Sequence, residues 1–324
     1  MKKVITLLLA AGLVIGAASA ANAVDIKAKG LWHNAMSFAD RNFEKHNGSD
    51  KMQNATRIRT QIDVIASESL KGVVYFEIGP QNWGKGADGA SLGTDGKVVK
   101  VRYNYVDWVI PQTDAKVRMG LQNFSLPGFA LPNVILGGGG ADGAGITLSY
   151  QFNDMAGMSL FWMRAENDNT TIDRGVGNAM DFVGLSVPLT GEGWQLNPWG
   201  MYGNLGKNSL NEVGENGESL IVGLLPYGQD GVSVVAKDSN NPAWWLGIGG
   251  ELTTFDPLRL AFDFAYGKAD WGKAANGQDL TRQGWLLSGI AEYKLDYVTP
   301  GLIAWYGSGD NSDTMDGSER LPTL

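Results

Sequence analysis

Lys116 to Phe124, KVRMGLQNF, sets Lys116, Arg118, Gly120 and Gln122 on one face at a period of two and Val117, Met119 and Leu121 on the other. One face of such a strand needs water and the other avoids it. The pattern recurs along the chain. Arg57, Arg59, Gln61 and Asp63 alternate with Ile58, Thr60, Ile62 and Val64; Val74, Phe76 and Ile78 stand opposite Glu77; Lys100, Arg102 and Asn104 alternate with Val99, Val101, Tyr103 and Tyr105. Farther on, Gly145, Thr147 and Ser149 oppose Ile146, Leu148 and Tyr150, and Arg259, Ala261, Asp263 and Ala265 oppose Leu258, Leu260, Phe262, Phe264 and Tyr266. A chain written this way folds as antiparallel strands joined by turns and loops.

Thirteen strands can be read from the alternation, and their connections alternate in length. Short ones fall near 67–71, 111–114, 153–157, 190–193, 254–257 and 295–300; longer polar or glycine-rich ones fall near 39–56, 80–97, 124–143, 167–180, 205–241 and 268–283. Short turns at one end of a sheet and long loops at the other are the asymmetry of outer-membrane barrels, whereas a soluble sandwich mixes the lengths more freely. The cations discriminate further. Burying Arg57, Arg59, Lys100, Arg102, Lys116 and Arg118 in a dry interior would require a partner for every charge, and a wet lumen requires none. The fold expected is therefore all-β, a transmembrane antiparallel β-barrel with its apolar face toward lipid.

The N-terminus agrees with export. Lys2 and Lys3 precede an apolar run from Val4 to Ala18 and the small-residue sequence Ala21-Asn22-Ala23, the pattern of a secretory signal peptide over residues 1–23, with the barrel expected over 24–324. Cleavage there would lower the net charge from −8 to about −10. The chain has no cysteine, so packing, hydrogen bonding or assembly must hold it, not disulfides. No later stretch reaches 18 uninterrupted apolar residues, which leaves strands as the means of crossing a membrane. Trp32, Trp83, Trp108, Trp162, Trp199, Trp244, Trp271 and Trp305 lie near strand ends and read as interfacial girdles, with a subunit interface as the alternative for some.

Three stretches, YNYVDWVIPQTDAKVRMGLQNFSLPG at 103–128, PLRLAFDFAYG at 257–267 and GLIAWYGSGD at 301–310, resemble the homotrimeric outer-membrane porins of sulfate-reducing bacteria and, more loosely, the general bacterial porins. The resemblance implies a wide, water-filled, 16-stranded channel in each subunit of a homotrimer, with the third external loop folded into the lumen. Residues 124–143 are the third long connection here, with Phe124, Pro127, Pro132 and Asp142 as its marked residues. Its text is too apolar for an ordinary exposed loop; Pro127 and Pro132 restrict it and Gly137 to Gly140 permit a tight return. Porins of this type close on a C-terminal strand that ends in an aromatic residue. SGDNSDTMDGSERLPTL instead follows the thirteenth strand, so the expectation is a barrel incomplete at its C-terminus by roughly three strands.

Little competes for chemistry. His33 and His46 are the only histidines and form no metal set; GGGG at 137–140 lacks the Lys-Ser/Thr of a phosphate loop; Asp310, Asp313 and Asp316 miss calcium-loop spacing. Glu68 and Glu77 occupy unrelated turn and strand positions and form no acid-base pair. The expectation is no enzyme, no cofactor, no metal and no nucleic-acid partner. Passive diffusion of small hydrophilic solutes and ions across the bacterial outer membrane is the leading function, and a noncatalytic barrel that anchors or binds is the alternative. The six cations form a positive pore wall in this reading, faced by one loop acid, Asp142; the alternative is that wall carboxylates such as Asp63 and Glu77 pair with them and merely keep the lumen hydrated.

Overall fold

The computed structural model describes residues 24–39, 51–94, 96, 99–137, 140–167, 179–206, 222–226, 240–274 and 276–324. The expected leader, His46 and most of the connections at 39–56, 167–180 and 205–241 lie outside the described residues. The strands are β1 (Asp25–Ala39), β2 (Lys51–Ser67), β3 (Leu70–Asn82), β4 (Lys100–Val109), β5 (Ala115–Phe124), β6 (Ala141–Asn153), β7 (Ala156–Glu166), β8 (Met180–Ser186), β9 (Leu189–Gly191), β10 (Trp194–Leu205), β11 (Asn241–Leu252), β12 (Leu258–Lys273), β13 (Asp279–Tyr293) and β14 (Gly301–Gly307). They belong to one 14-stranded sheet in chain order, with only the short β9 off the path beside β10 and β7. No helix among the described residues is long and apolar enough to cross a membrane.

One expected loop is strand. β12 continues to Lys273 and β13 starts at Asp279, so the connection expected at 268–283 shrinks to 274–278. The polar text misleads because it is one face of a strand: Lys268 and Asp270 pair at 3.0 Å, while Ala269 and Trp271 alternate with them and are buried. A similar extension starts β2 at Lys51, inside the expected loop 39–56.

The chain divides into two compact units, Met1–Pro111 with Arg118–Gln122, and Gln112–Val117 with Asn123–Leu324. In the first unit the antiparallel registers of β1 to β4 sort the side chains into two faces. Ile26, Val64, Gly72 and Val106 form one row across the strands, and Trp32, Ile58 and Ile78 form another. This face is apolar yet open: Trp32 is 75% exposed and Phe38 73%. The opposite face carries Lys27, Asp63, Arg59, Glu77, Lys71 and Asp107. A protein in water buries the first face and exposes the second; a sheet against lipid does the reverse.

The second unit repeats the open apolar face. Trp162, Val183, Tyr202 and Trp244 stand in one row, and Ile248, Phe264, Leu287 and Tyr306 in another. Its other face differs from that of the first unit, because toward one end it is apolar and covered. Large rings there lie over glycines on the neighbouring strand: a Cβ on Gly184 would come within 2.3 Å of the Phe161 ring, on Gly247 within 2.3 Å of Trp199 and on Gly267 within 2.3 Å of Trp245. The missing side chain of one strand makes the seat for the aromatic of the next, so the rings pack flat and leave room above them. Leu126, Ile135 and Leu136, Leu224 and Leu225, and the chain end at Leu321 and Leu324 fill that room. Trp199 and Trp271 are therefore core residues, 7% and 1% exposed, and not the girdle residues expected from their positions, whereas Trp32, Trp83 and Trp305 are open.

Candidate functional site

The charged face of the first unit is built on four strands. β2 brings Arg57, Arg59, Gln61 and Asp63; on β3, Glu77, Tyr75 and Val73 stand opposite Arg59, Gln61 and Asp63, and Lys71 opposite Ile65. On β4, Lys100 faces Glu77, Tyr103 faces Tyr75, Tyr105 faces Val73 and Asp107 faces Lys71. The expected alternation of Lys100, Arg102 and Asn104 breaks at a bulge: Tyr75 pairs with Tyr103 but Phe76 with Val101, which leaves Arg102 as the extra residue. Beyond the bulge the parity inverts. Asn104 turns to the open apolar face, and Tyr103, Tyr105 and Asp107 join the cations.

Ion pairs tie this face together. Arg118 holds Asp107 through two bonds, Nε to Oδ1 at 2.7 Å and Nη2 to Oδ2 at 3.0 Å. Lys71 Nζ lies 3.9 Å from the carboxylates of both Asp107 and Asp63. Arg59 Nε reaches Glu77 Oε2 at 2.5 Å, and Arg102 Nη1 lies 3.7 Å from the same oxygen. Arg57 stands opposite His33, with its Nε buried and unpartnered. Among the described side chains of the first unit, Arg57, Arg59, Lys71, Lys100, Arg102 and Arg118 thus share this face with the carboxylates of Asp63, Glu77 and Asp107.

Depth matters as much as number. The side chains of Asp107, Glu77 and Asp63 are 6%, 14% and 15% exposed, against 31%, 26%, 24% and 34% for Arg118, Arg102, Arg59 and Lys71. The acids lie underneath and the cations above them, so a solute over the face meets positive charge first. Tyrosines complete the layer. Tyr75 and Tyr103 stack at 5.2 Å, Tyr105 lies 6.4 Å from Tyr103, and the guanidiniums of Arg102 and Arg118 sit 5.4 Å from the Tyr103 centroid and 4.1 Å from that of Tyr105. Gly120 makes room for this layer, since a Cβ there, at φ +130°, would stand 2.8 Å from Tyr105 Cα. The structure thus brings Arg57, Arg59, Lys100, Arg102 and Arg118 together, while Lys116 falls in the second unit at the start of β5.

The expected constriction loop belongs to that second unit, and it is docked onto the sheet. Asp263 of β12 accepts three backbone bonds from it, Phe129 N to Oδ1 at 2.8 Å and Ala130 N and Leu131 N to Oδ2 at 2.6 and 2.8 Å. Gly249, directly opposite Asp263 on β11, leaves room for the carboxylate and for the Phe129 ring. Within the loop, Leu126 N donates to Asn133 Oδ1 at 2.8 Å, and a Cβ on Gly128 would stand 2.7 Å from Pro132 Cα. Phe124 ends β5 and packs on Phe161 at 5.3 Å; Pro127 is half-buried and Pro132 exposed. Asp142 departs from expectation: β6 starts at Ala141, so Asp142 is an exposed strand residue that accepts a bond from Asn123 Nδ2 at 3.0 Å.

Two further segments join the loop on the covered face, and alternation does not announce either. Trp271 Nε1 donates to Leu224 O and Trp245 Nε1 to Pro322 O, both at 2.9 Å. Arg282 donates to Leu321 O at 3.0 and 3.2 Å and to Leu225 O at 3.2 Å; Thr323 N reaches Gly223 O and Leu324 N reaches Ile135 O. Nearer the 253–257 turn the same face is polar, with Arg259 bridging Glu251 and Glu292 at 2.6 Å each. Among the described residues no cluster of three His, Cys, Asp or Glu side chains is placed to hold a metal ion.

No protein-family model matches the chain, and no curated protein does. Solved structures match over most of its length at low identity. An outer-membrane protein of Vibrio cholerae, OmpT in its trimer form, is 11% identical over 93% of this chain and 96% of its own, with a TM-score of 0.41. A porin is 10% identical over 87% of this chain and 83% of its own, TM-score 0.47; OccAB3 of Acinetobacter baumannii is 12% identical over 88% and 67%, TM-score 0.46.

Proposed function

We propose that the chain is a bacterial outer-membrane β-barrel protein that passes small hydrophilic solutes and ions by passive diffusion, without catalysis, its charged face toward water and its open apolar face toward lipid. The observation that carries this reading is the pairing of faces in the first unit: exposed Trp32, Phe38 and Ile26 on one side, and a part-exposed layer of cations above more deeply placed carboxylates on the other. The sequence resemblance extends it to a homotrimer of barrels, each 16-stranded when complete. From the sequence reading come Arg57, Arg59, Lys100, Arg102, Lys116 and Arg118 as pore-lining residues and 124–143 as the constriction loop.

Anions are the favoured ions. A unit charge about 5 Å from a permeating ion changes its energy by roughly 0.8 kcal/mol in water, about a fourfold factor in permeability. Arg102→Gln with Arg118→Gln removes two such charges and leaves Asp107 and Glu77 with fewer partners, and both changes push toward cations. In planar bilayers of the full chain, the reversal potential of the double variant is expected to move in the cation direction. An unchanged potential in folded protein would remove these residues from the path.

Orientation has its own test. In the second unit the 154–155 turn and the 274–278 turn lie at opposite strand ends. A membrane-impermeant maleimide is expected to label Lys273→Cys on intact cells and Met155→Cys only after lysis; the reverse pattern would invert the topology. The second reading, a noncatalytic barrel that anchors or binds, is favoured by the apolar cover of residues 126–136, 222–226 and 321–324 on the second unit. Absence of conductance in properly assembled protein would select it.

A further inference from the structure

The charged face of the first unit holds more aromatic surface than ion conduction alone requires. Tyr75, Tyr103 and Tyr105 form a strip on β3 and β4, with Tyr75 and Tyr103 nearly parallel at 27°. Each ring is half-buried, so part of each is reachable. Arg102 and Arg118 lie against these rings, their side chains 26% and 31% exposed. A cation beside the face of a ring is attracted to it. Arg118 spends Nε and Nη2 on Asp107 beneath it, which directs its Nη1 edge elsewhere.

We propose that this tyrosine and arginine strip is a binding site for aromatic carboxylates, anions whose charge is joined directly to a flat ring. The proposal rests on the channel reading for its location at a water-filled face and adds the class of solute. A carboxylate matches the planar N–H edge of a guanidinium, and the attached ring lies on tyrosine or on the guanidinium plane beside it. The geometry separates this class from two simpler ones. A small anion such as acetate uses the charge and wastes the rings, while a neutral aromatic uses the rings and gains nothing from the guanidiniums of Arg102 and Arg118. Only a molecule with both features engages both parts of the strip. The acids do not repel it, because Asp107 and Glu77 lie below the cations with side chains 6% and 14% exposed.

The test uses the full chain folded in detergent micelles and three fluorinated probes, 4-fluorobenzoate, 4-fluorobenzyl alcohol and trifluoroacetate, followed by fluorine NMR. A ring over a guanidinium or a tyrosine contributes a few-fold in affinity, so 4-fluorobenzoate is expected to bind saturably and about fivefold tighter than either other probe, and more weakly in high salt. Tyr103→Leu is expected to erase most of that preference while leaving trifluoroacetate binding unchanged; Tyr75→Leu, on the neighbouring strand, is expected to act in the same direction and serves if the first variant folds poorly. Equal binding of 4-fluorobenzoate and trifluoroacetate would overturn the role of the rings, and equal binding of the neutral alcohol would overturn the role of the cations. Conductance separates this site from the channel itself. A conducting protein without ring preference refutes the site and leaves the channel; a protein that binds 4-fluorobenzoate and never conducts refutes the channel and leaves the site.

Discussion

Asp263→Ala is expected to release residues 126–136 from the sheet. The carboxylate is 7% exposed and takes the backbone N–H groups of Phe129, Ala130 and Leu131, three donors that no regular structure would otherwise satisfy. Each amide left unpaired in a buried place costs roughly 1–3 kcal/mol, and bonds to an ionised acceptor are the stronger kind. A net loss of about 3 kcal/mol corresponds to about a hundredfold faster hydrogen exchange at those amides. Exchange measured on the folded protein in detergent reads this directly. Asp263→Asn keeps one carbonyl acceptor and should fall between wild type and alanine. If the loop narrows the path, Asp263→Ala also raises single-channel conductance. Unchanged exchange at residues 129–131 would show that apolar packing of Leu126, Ile135 and Leu136 holds the loop without its anchor.

The anchor shows where sequence reading stops. Alternation identifies Asp263 as a polar residue facing away from Phe262 and Phe264, and the Pro and Gly content of 124–143 marks a segment that folds back, but nothing in either stretch says that they meet across more than 130 residues. The strand path was legible where alternation is clean, because period-two alternation is local; glycines weaken it around 181–188, 194–204, 242–252, 284–294 and 301–307, and the short β9 ends inside what reads as the 190–193 turn. Arg102 marks the first failure. A single extra residue in β4 inverts the faces of Asn104 and Tyr105, and the text on both sides of the bulge alternates equally well in either register. At 268–273 the failure is compositional, since Lys268, Asp270 and Lys273 suggest a loop until Trp271 is found buried between them. The tryptophans divide by face: Trp162 stands in the open row with Val183 and Tyr202, Trp199 shares the covered face with Trp245, and nothing in the alternation says which face a distant loop will cover. The signal that was available is cross-strand: Phe161 with Gly184, Trp199 with Gly247 and Trp245 with Gly267 are pairs that emerge once the register is known.

Trp245→Ala is expected to destabilise the protein by about 3–5 kcal/mol, the usual cost of removing a buried aromatic from a packed core. Trp245 is fully buried, its ring lies over Gly267 and 6.1 Å from Phe182, and its Nε1 holds Pro322 O at 2.9 Å. Glycine at 267 on the next strand leaves that side of the space without a side chain to collapse into it, so part of the cavity persists. Trp245→Phe keeps most of the apolar contact and orphans the Pro322 carbonyl, an expected cost of roughly 1–3 kcal/mol that should appear first as proteolytic sensitivity of residues 317–324. Its neighbour supplies the control. Trp244 points to the open apolar face, where it meets Tyr266 at 5.4 Å, and Trp244→Ala forfeits mainly that ring pair, about 0.5–1.5 kcal/mol. Two adjacent tryptophans on one strand are thus predicted to differ severalfold in denaturant unfolding from detergent micelles. Equal losses, or a larger loss at Trp244, would mean that the faces of β11 are assigned the wrong way round, and the apolar cover of residues 126–136, 222–226 and 321–324 would have no seat on this sheet.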